Sequence, residues 1–323
     1  MSVLIYVENW EGKFKKLSFE LVSYGAKVAE MLATEAVALT IGKIEDSELE
    51  LLGKYGAKRI IHAETGNLNQ IDSQHMAGLI AAFVTRENAG VVILSNNNTG
   101  KALAPRLSVK LKAGIGAGVS KLPLSIDPFI VYKKVFSGNA FAHVAIRSDI
   151  RILTLAQNSF ELCETENSAA ISRVPAEWES AGLKTRVTDV QKTAGKILLT
   201  DAEIVVSGGR GMKSPDNWGP IVELADLLGA ATACSRPVSD EGWRSHEEHT
   251  GQTGKIIAPN LYIAVGISGA TQHLAGVSSS KYIVAINTDK DAPIFSAAQY
   301  GIVGDAAKIL PRLVEKVHEI KGK

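Results

Sequence analysis

The sequence predicts an α/β protein of two domains, each a mostly parallel sheet flanked by helices. Short apolar runs rich in β-forming residues alternate with segments whose apolar residues recur at helical spacing. A polar stretch at residues 188–200 interrupts this alternation and reads as a linker. With 323 residues the chain is long enough to build two cores. We therefore predict domains at residues 1–188 and 189–323, the second of them Rossmann-like.

The first domain begins with alternating strands and helices. The predicted strands are Val3–Val7, Ala36–Ile41, Arg59–His62 and Val91–Leu94. The predicted helices are Phe19–Leu32, Ser47–Tyr55, Asp72–Glu87 and Thr99–Lys112. Ser47 is a candidate cap of the second helix, and Asp72 or Ser73 of the third, because a side-chain oxygen there can accept from a free backbone N–H.

The pattern changes after Gly114. Phe129–Val135 and Phe141–Leu155 are rich in β-forming residues with a period near two, and Ser137-Gly138-Asn139 forms a turn between them. Antiparallel strands are expected in this half of the domain. Residues 161–184 are polar and suggest no regular element.

The second domain repeats the strand–turn–helix order. A strand at Glu203–Val206 leads through the glycine turn Ser207–Gly211 to a helix at Trp218–Leu228 and a short strand within Ala230–Ser235. A strand–helix–strand unit follows, at Leu261–Val265, Ala270–Ala275 and Lys281–Ile286. A final helix at Ala306–Lys321 is amphipathic, and its predicted apolar face comprises Ile309, Leu313, Val317 and Ile320.

The strand–helix–strand unit also predicts a binding site. Gly266, Ser268 and Gly269 end a parallel strand, and open α/β sheets bind ligands at such ends. Backbone N–H groups at a new helix start favour an anion. A phosphate-bearing ligand held by Ser268, Gly269 and Gln272 is the first interpretation.

Composition excludes several classes of function. The formal charge is +1, with 35 basic and 34 acidic residues, so nucleic acid is not an expected partner. Cys163 and Cys234 lack a metal or redox spacing and are expected to be small buried side chains. No apolar run reaches membrane-spanning length, and Met1–Trp10 lacks a basic flank. A cytoplasmic protein without membrane insertion is expected.

Three motifs fall short of known signatures. Ser207–Lys213 is not a Walker loop because Met212 precedes Lys213, although Arg210 could still fork onto phosphate oxygens. Gly266–Ala270 lacks the second glycine of a hydrolase nucleophile elbow, which disfavours acyl transfer. His246 and His249 lack the helix-face spacing of a zinc site, and a solvated charged loop is expected there.

Six ordered blocks together resemble the α subunit of electron transfer flavoproteins. The most diagnostic is L-Y-I-A-V-G-I-S-G-A-T-Q-H-L-A-G at Leu261–Gly276. The others are S-G-G-R-G at Ser207–Gly211, S-R-P at Ser235–Pro237, G-Q-T-G at Gly251–Gly254, A-I-N at Ala285–Asn287, and A-P-I-F through G-I-V-G-D at Ala292–Asp305. The first domain fits the family in length and in its strand–helix pattern.

The resemblance implies an FAD-binding electron carrier rather than an enzyme with its own turnover. The partner would be a β subunit, in contact with the N-terminal domain. Electrons would come from flavin dehydrogenases, such as the acyl-CoA dehydrogenases of fatty acid β-oxidation, and pass singly to a membrane quinone oxidoreductase. No catalytic residue and no metal are implied.

The resemblance also implies roles for individual residues. Arg210, Ser235, Ser268 and Gln272 would lie near the phosphates and ribityl chain, and Asn287 and Asp305 toward the adenosine. Arg236, Gln252, Thr253 and His273 would face the isoalloxazine ring. The same comparison adds Thr250, Gly251, Gly269, Ala270, Thr271 and Ala306 to the cofactor-binding residues; Thr271 and Ala306 depart from the usual family residues.

The chemistry of these residues suits such a role. Arg236 and His273 would be donors beside the part of the ring that becomes negative on reduction. A cation about 4 Å away contributes roughly 4 kcal/mol at an effective dielectric constant near 20, or a shift on the order of 170 mV in a one-electron couple. A redox-inactive nucleotide-binding regulatory module is the alternative, but it gives no reason for Arg236, the Gly251–Gly254 loop and His273 to occur together.

Overall fold

The structure is a computed structural model that describes residues 1–65, 71–138, 140–175, 188 and 197–321. The chain divides into two compact units, Met1–Val135 with Asn139–Val190 and Phe136–Gly138 with Gln191–Lys323. Most of the predicted linker lies outside the described residues, and the boundary at 188 and 189 stays a prediction.

None of the helices in the described ranges combines the length and hydropathy that a bilayer span requires. The cytoplasmic location stays a prediction.

The described residues of the first unit form one mixed ten-stranded sheet. Its strands are β1 (Ser2–Tyr6), β2 (Ala36–Ile41), β3 (Arg59–Glu64), β4 (Ala89–Ser95), β5 (Gly114–Val119), β6 (Ser125–Ile126), β7 (Phe129–Val135), β8 (Ala140–Ile146), β9 (Arg151–Leu155) and β10 (Ala170–Pro175). The order is β10-β3-β2-β1-β4-β9-β5-β7-β6, with β8 paired to β7. The flanking helices are α1 (Lys16–Met31), α2 (Asp46–Lys54), α3 (Ser73–Arg86) and α4 (Asn98–Leu111).

Strand β1 shows why this sheet needs helices on both faces. Val3 and Ile5 pack into one core, whereas Leu4 and Tyr6 pack into the other. Successive side chains of a strand point to opposite faces, so a wholly apolar strand must be covered on both sides.

Several predictions for the first unit need correction. Helix α2 begins at Asp46, and its preceding residue Glu45 makes no side-chain cap, so Ser47 does not cap it. Asp72 does cap α3, accepting from the N–H groups of Gln74 and His75. The antiparallel prediction holds for β6, β7 and β8 and for the pair of β5 with β7, but β9 runs parallel to both of its neighbours, β4 and β5. The polar segment after residue 160 contributes the parallel edge strand β10.

The second unit is a five-stranded parallel sheet in the order β12-β11-β13-β14-β15. Its strands are β11 (Ile204–Gly208), β12 (Ala231–Cys234), β13 (Leu261–Val265), β14 (Tyr282–Asn287) and β15 (Tyr300–Val303). Its helices are α5 (Gly219–Leu228), α6 (Arg236–Asp240), α7 (Thr271–Val277), α8 (Ile294–Ala297) and α9 (Ala306–Lys321). The prediction of a Rossmann-like parallel sheet flanked by helices is confirmed here, although α6, α8 and β15 were not predicted.

The apolar face predicted for α9 is confirmed for three of its four residues. Ile309, Leu313 and Val317 are partly buried against a core of the second unit, in which Leu310 and Val314 are fully buried beside β11 and β13. Ile320, in the last turn, is 74% exposed and was wrongly predicted to belong to this face.

Candidate functional site

The direction in which the chain adds strands to the second sheet reverses between β11 and β13. The chain passes from β11 through α5 to β12 on one side, and then crosses to β13 on the other side of β11. Gly208 and Val265, the last residues of β11 and β13, are partners in the sheet. Ligands of doubly wound sheets bind in the crevice beyond such a reversal. A cleft of about 510 Å³ lies there.

Glycines form the floor of this cleft because two backbone turns meet there. The N–H of Gly211 donates to the carbonyl of Gly266 at 3.0 Å. A Cβ on Gly211 would lie 2.6 Å from the Gly266 Cα, and Gly266 itself has a φ of +61°. Side chains at these positions would push the turns apart, so the sequence S-G-G-R-G requires its glycines here.

A loop on the opposite side is held against α7 in a similar way. The N–H of Gln252 donates to the carbonyl of Gln272 at 2.8 Å, and the N–H of Thr250 donates to that of Cys234 at 3.0 Å. A Cβ on Gly276 would lie 2.4 Å from the Gly251 Cα. The loop can therefore pack closely against α7 only because both contact positions, Gly251 and Gly276, are glycine.

The structure brings most of the predicted site residues together. Those that line the cleft are Arg210, Ser235, Arg236, Thr250, Gly251, Gln252, Thr253, Ser268, Gly269, Ala270, Gln272, His273 and Asn287. Asn287 also has structural bonds, because its amide donates to the Ile267 carbonyl and its oxygen accepts from the Asp289 N–H.

Three predicted residues do not line the cleft. Asp305 accepts from the N–H of Ala307 at the start of α9 and pairs with Lys213 at 3.1 Å. Ala306 is buried in the core, and the Thr271 side chain is exposed. Asp305 and Ala306 thus have a structural role in anchoring α9.

Five further residues line the cleft without having been predicted as ligands: Gly211, Pro237, His249, Gly266 and Ile267. The glycines belong to turns that the sequence indicated. His249 gave no local signal, because its approach to the cleft depends on the loop that folds back onto β12.

The two arginines of the cleft are exposed and weakly paired. Nε of Arg236 lies 3.3 Å from Oδ2 of Asp240, one turn along α6. Arg210 has its nearest carboxylate, that of Glu241, at 3.9 Å. Exposed ion pairs contribute about 0–1 kcal/mol, so a ligand anion can replace either carboxylate at little cost.

His273 is a buried imidazole of the cleft wall. Its Nε2 lies 2.8 Å from the hydroxyl of Tyr262, while its Nδ1 is buried without a hydrogen-bond partner among the described residues. Burial, reinforced by the charge of His249 and opposed by a backbone group of Thr250, lowers the pKa of His273 to about 4. The ring is therefore neutral at pH 7 and can act as a donor, but not as a standing cation.

Within the described ranges, no cluster of three or more His, Cys, Asp or Glu side chains has the arrangement of a metal site. Burial, the largest effect, raises the pKa of the Cys234 thiol to about 12, and this side chain is in a core of the second unit. The cleft offers close-packed backbone, two exposed guanidinium groups and a neutral imidazole, which suits a ligand with anionic and heterocyclic parts.

Comparison with known proteins agrees with this chemistry. A family model described as "Electron transfer flavoprotein FAD-binding domain" matches residues 198–278, and one described as "Electron transfer flavoprotein domain" matches residues 3–178. The first match contains the glycine turns, α6, the loop and α7.

Relatives with the printed name "Electron transfer flavoprotein subunit alpha" match along nearly the whole chain. The protein of Syntrophomonas wolfei is 35% identical, with 97% of this chain and 98% of the relative covered. That of Bacillus subtilis is 34% identical, with 98% of each covered. A protein of Caenorhabditis elegans named "Probable electron transfer flavoprotein subunit alpha, mitochondrial" is 36% identical, over 97% of this chain and 92% of the relative. The chain therefore belongs to the electron transfer flavoprotein alpha subunit family, and its second unit contains that family's FAD-binding domain.

Proposed function

We propose that this chain binds FAD as one subunit of a two-subunit electron carrier. In this role it takes electrons from flavin dehydrogenases, including acyl-CoA dehydrogenases, and passes them singly to a membrane quinone oxidoreductase or another acceptor. A β subunit completes the carrier. The observation that carries the proposal is the cleft beyond β11 and β13, whose lining residues other than Asn287 all lie in the part of the chain that matches an FAD-binding domain.

The residues of the cleft fit FAD. Because the turns consist of glycine, their backbone can approach a diphosphate closely. Arg210 lines the same cleft and is free to bind phosphate oxygens, since its contact with the Glu241 carboxylate is long. One buried polar atom of the cleft, Nδ1 of His273, has no hydrogen-bond partner among the described residues. Such atoms are rare in folded proteins unless a ligand or water completes them.

In the proposed complex each group has a distinct task. Arg210, Ser268 and Gln272 hold the phosphates and ribityl chain, and Asn287 orients the turn after β13 through its bond to the Ile267 carbonyl. Arg236, Gln252, Thr253 and His273 lie along the isoalloxazine ring. Bound FAD supplies the one- and two-electron redox chemistry.

Co-purification with a β subunit from the same organism tests the proposal. We expect a yellow complex from which denaturation releases FAD, and reduction of that FAD when a catalytic amount of acyl-CoA dehydrogenase and its substrate are added. A colourless complex that cannot be reconstituted with FAD would refute the proposal. Bound FAD that no dehydrogenase can reduce would instead support the redox-inactive regulatory module.

A further inference from the structure

The cleft contains a second histidine for which the proposed contacts give no task. His249 is 7% exposed, and it lies in the cleft wall rather than in the solvated loop that the sequence suggested. Its backbone is fixed on both sides, through an isolated parallel bridge with Cys234 and through its carbonyl, which accepts from the N–H of Lys255.

Gly251 is close to both His249 and His273. A Cβ on Gly251 would lie 3.5 Å from Nε2 of His249 and 3.7 Å from the Cα of His273. The His249 ring also packs against Gly254, where a Cβ would lie 2.7 Å from Nδ1. Both histidines therefore line the cleft beside the same glycine.

The two rings differ in what holds them. His273 has the hydroxyl of Tyr262 at 2.8 Å from Nε2. No hydrogen bond joins a ring nitrogen of His249 to another group in the described part of the chain, and neither nitrogen is fully enclosed. A proton from water can therefore reach the His249 ring without breaking an existing hydrogen bond.

The charged and titratable groups around His249 come from several elements. Helix α6 contributes Asp240 and Arg236, and the short 3₁₀ turn before His249 contributes His246. Burial lowers the pKa of His249 most, Asp240 opposes this, and Arg236 and His246 lower the pKa further.

The remaining neighbours add no free negative charge. Helix α7 contributes the neutral His273, and β12 contributes the Cys234 thiol, whose raised pKa keeps it protonated. Glu248 is held by Arg244 at 2.7 Å, and Lys255, whose N–H bonds to the His249 carbonyl, is a cation. Of the two imidazoles in the cleft wall, His249 is therefore the one that can gain a proton without breaking a hydrogen bond.

We propose that His249 takes up a proton from bulk water when the FAD of the cleft is reduced, so that a proton accompanies the electron into the site. This inference rests on the proposed function. The electron comes from the donor dehydrogenase. The proton comes from hydronium or a buffer acid in the bulk solvent, so the bond that held it there breaks as one N–H bond forms at a ring nitrogen of His249. Reoxidation releases the electron to the acceptor and returns the proton to the solvent. A negative charge within a few ångströms favours a protonated imidazole, and this attraction drives the uptake.

Imidazole NMR of the complex with the β subunit measures this uptake directly. The chain has seven histidines, and with ¹³C-labelled histidine the His249 resonance is assigned as the one missing from His249→Gln. We expect its pKa to rise by at least one unit, a tenfold gain in proton affinity, when the bound FAD is reduced with dithionite. A His249 titration that is the same in oxidised and reduced complexes, or uptake at His273 instead, would overturn the inference.

Proton uptake provides a second readout. A pH indicator should show that His249→Gln reduces the protons taken up per electron near pH 7 by at least half, while His318→Gln, on the exposed face of α9, leaves this number unchanged. An unchanged number in His249→Gln would also overturn the inference. The absorbance of bound FAD separates the two proposals: without bound FAD the proposed function itself fails, and with FAD bound but no change at His249 only the present inference fails.

Discussion

At the scale of single residues, the cleft combines a permanent cation with imidazoles that are neutral at rest. Arg236 is exposed and paired only with Asp240, whereas His273 is buried and its pKa is lowered to about 4. Coulomb attraction at 4 Å falls from about 4 kcal/mol at a dielectric constant of 20 to about 1 kcal/mol in water. How far Arg236 tunes a bound flavin thus depends on how completely the ligand excludes water.

We expect Arg236→Ala to lower the midpoint potential of bound FAD. The decrease should be between about 40 mV and about 170 mV, which are these two Coulomb limits in a one-electron couple. Arg236→Lys keeps the charge and should retain most of the potential. Spectroelectrochemical titration of the three proteins measures the effect, and equal potentials would remove Arg236 from the tuning role.

His273 should make the stability of the cofactor-free chain depend on pH. Its pKa is about 6.5 when unfolded and about 4 when folded, so the folded state binds the proton less well. The neutral ring's full contribution is present above pH 6.5, and about 3 kcal/mol should be lost as the pH falls from 6.5 to 4. Urea unfolding at pH 7 and at pH 4 should show a smaller loss for His273→Gln than for the wild type. His318→Gln, on the surface, should behave like the wild type.

The residue types in the sequence predicted which side chains line the cleft better than they predicted the charge states of those side chains. The glycines, Arg210, Arg236, Ser268 and His273 meet at one site, as their order in the sequence indicated. The neutrality of His273 could not be predicted, because it follows from burial beside Tyr262. The roles of the individual residues toward FAD stay predictions.

At the scale of elements, the cleft depends on backbone contacts between segments that are distant in the sequence. Gly276 lies inside α7, where alanine is normally about 1 kcal/mol better than glycine. Here a Cβ would lie 2.4 Å from the Gly251 Cα, so the loop would have to move. The contact therefore outweighs helix propensity at this position.

We expect Gly276→Ala to weaken FAD binding at least tenfold, because it separates the Gly251 loop from α7. Gly78→Ala is a matched control within α3, since a Cβ there would meet no atom within 4 Å. The control should raise the free energy of unfolding by about 0.5–1 kcal/mol and leave FAD affinity unchanged. Fluorescence titration of FAD into both variants gives the affinities, and an unaffected Gly276→Ala would show that the loop does not shape the site.

Helices and buried strands were predictable because their apolar periodicity is local. β10 was not, because its burial pattern is mostly exposed and only its pairing with β3 makes it a strand. The structural role of Asp305, a predicted site residue, was not predictable for the same reason. Its hydrogen bond to the first turn of α9 and its ion pair with Lys213 form only when these distant segments come together.

At the scale of the whole molecule, the chain consists of two compact units, each with its own cores. The described cleft is built only from residues of the second unit. A ligand that binds the folded state alone stabilises that state by mass action, by about 4 kcal/mol at a thousand times its dissociation constant.

In scanning calorimetry of the full chain, FAD should raise the midpoint temperature of the transition in which the second unit unfolds. Leu310→Ala should reduce the free energy of unfolding in the same transition by about 2–5 kcal/mol, because it leaves a cavity in a core of the second unit. Ile320→Ala, at an exposed position of the same helix, should change stability by no more than about 0.5 kcal/mol. If Leu310→Ala and FAD acted on different transitions, the assignment of the cleft to this core would be wrong.

The sequence by itself determined the α/β class and the order of most elements, because apolar periodicity and glycine turns are local features of the chain. It indicated the family and the cofactor through the resemblance of six ordered blocks to that family. Tertiary structure decided the mixed pairing of the first sheet, the buried face of α9, the neutral state of His273 and the place of His249 in the cleft wall. These depend on burial and on contacts between distant segments, and such contacts exist only once the chain has folded.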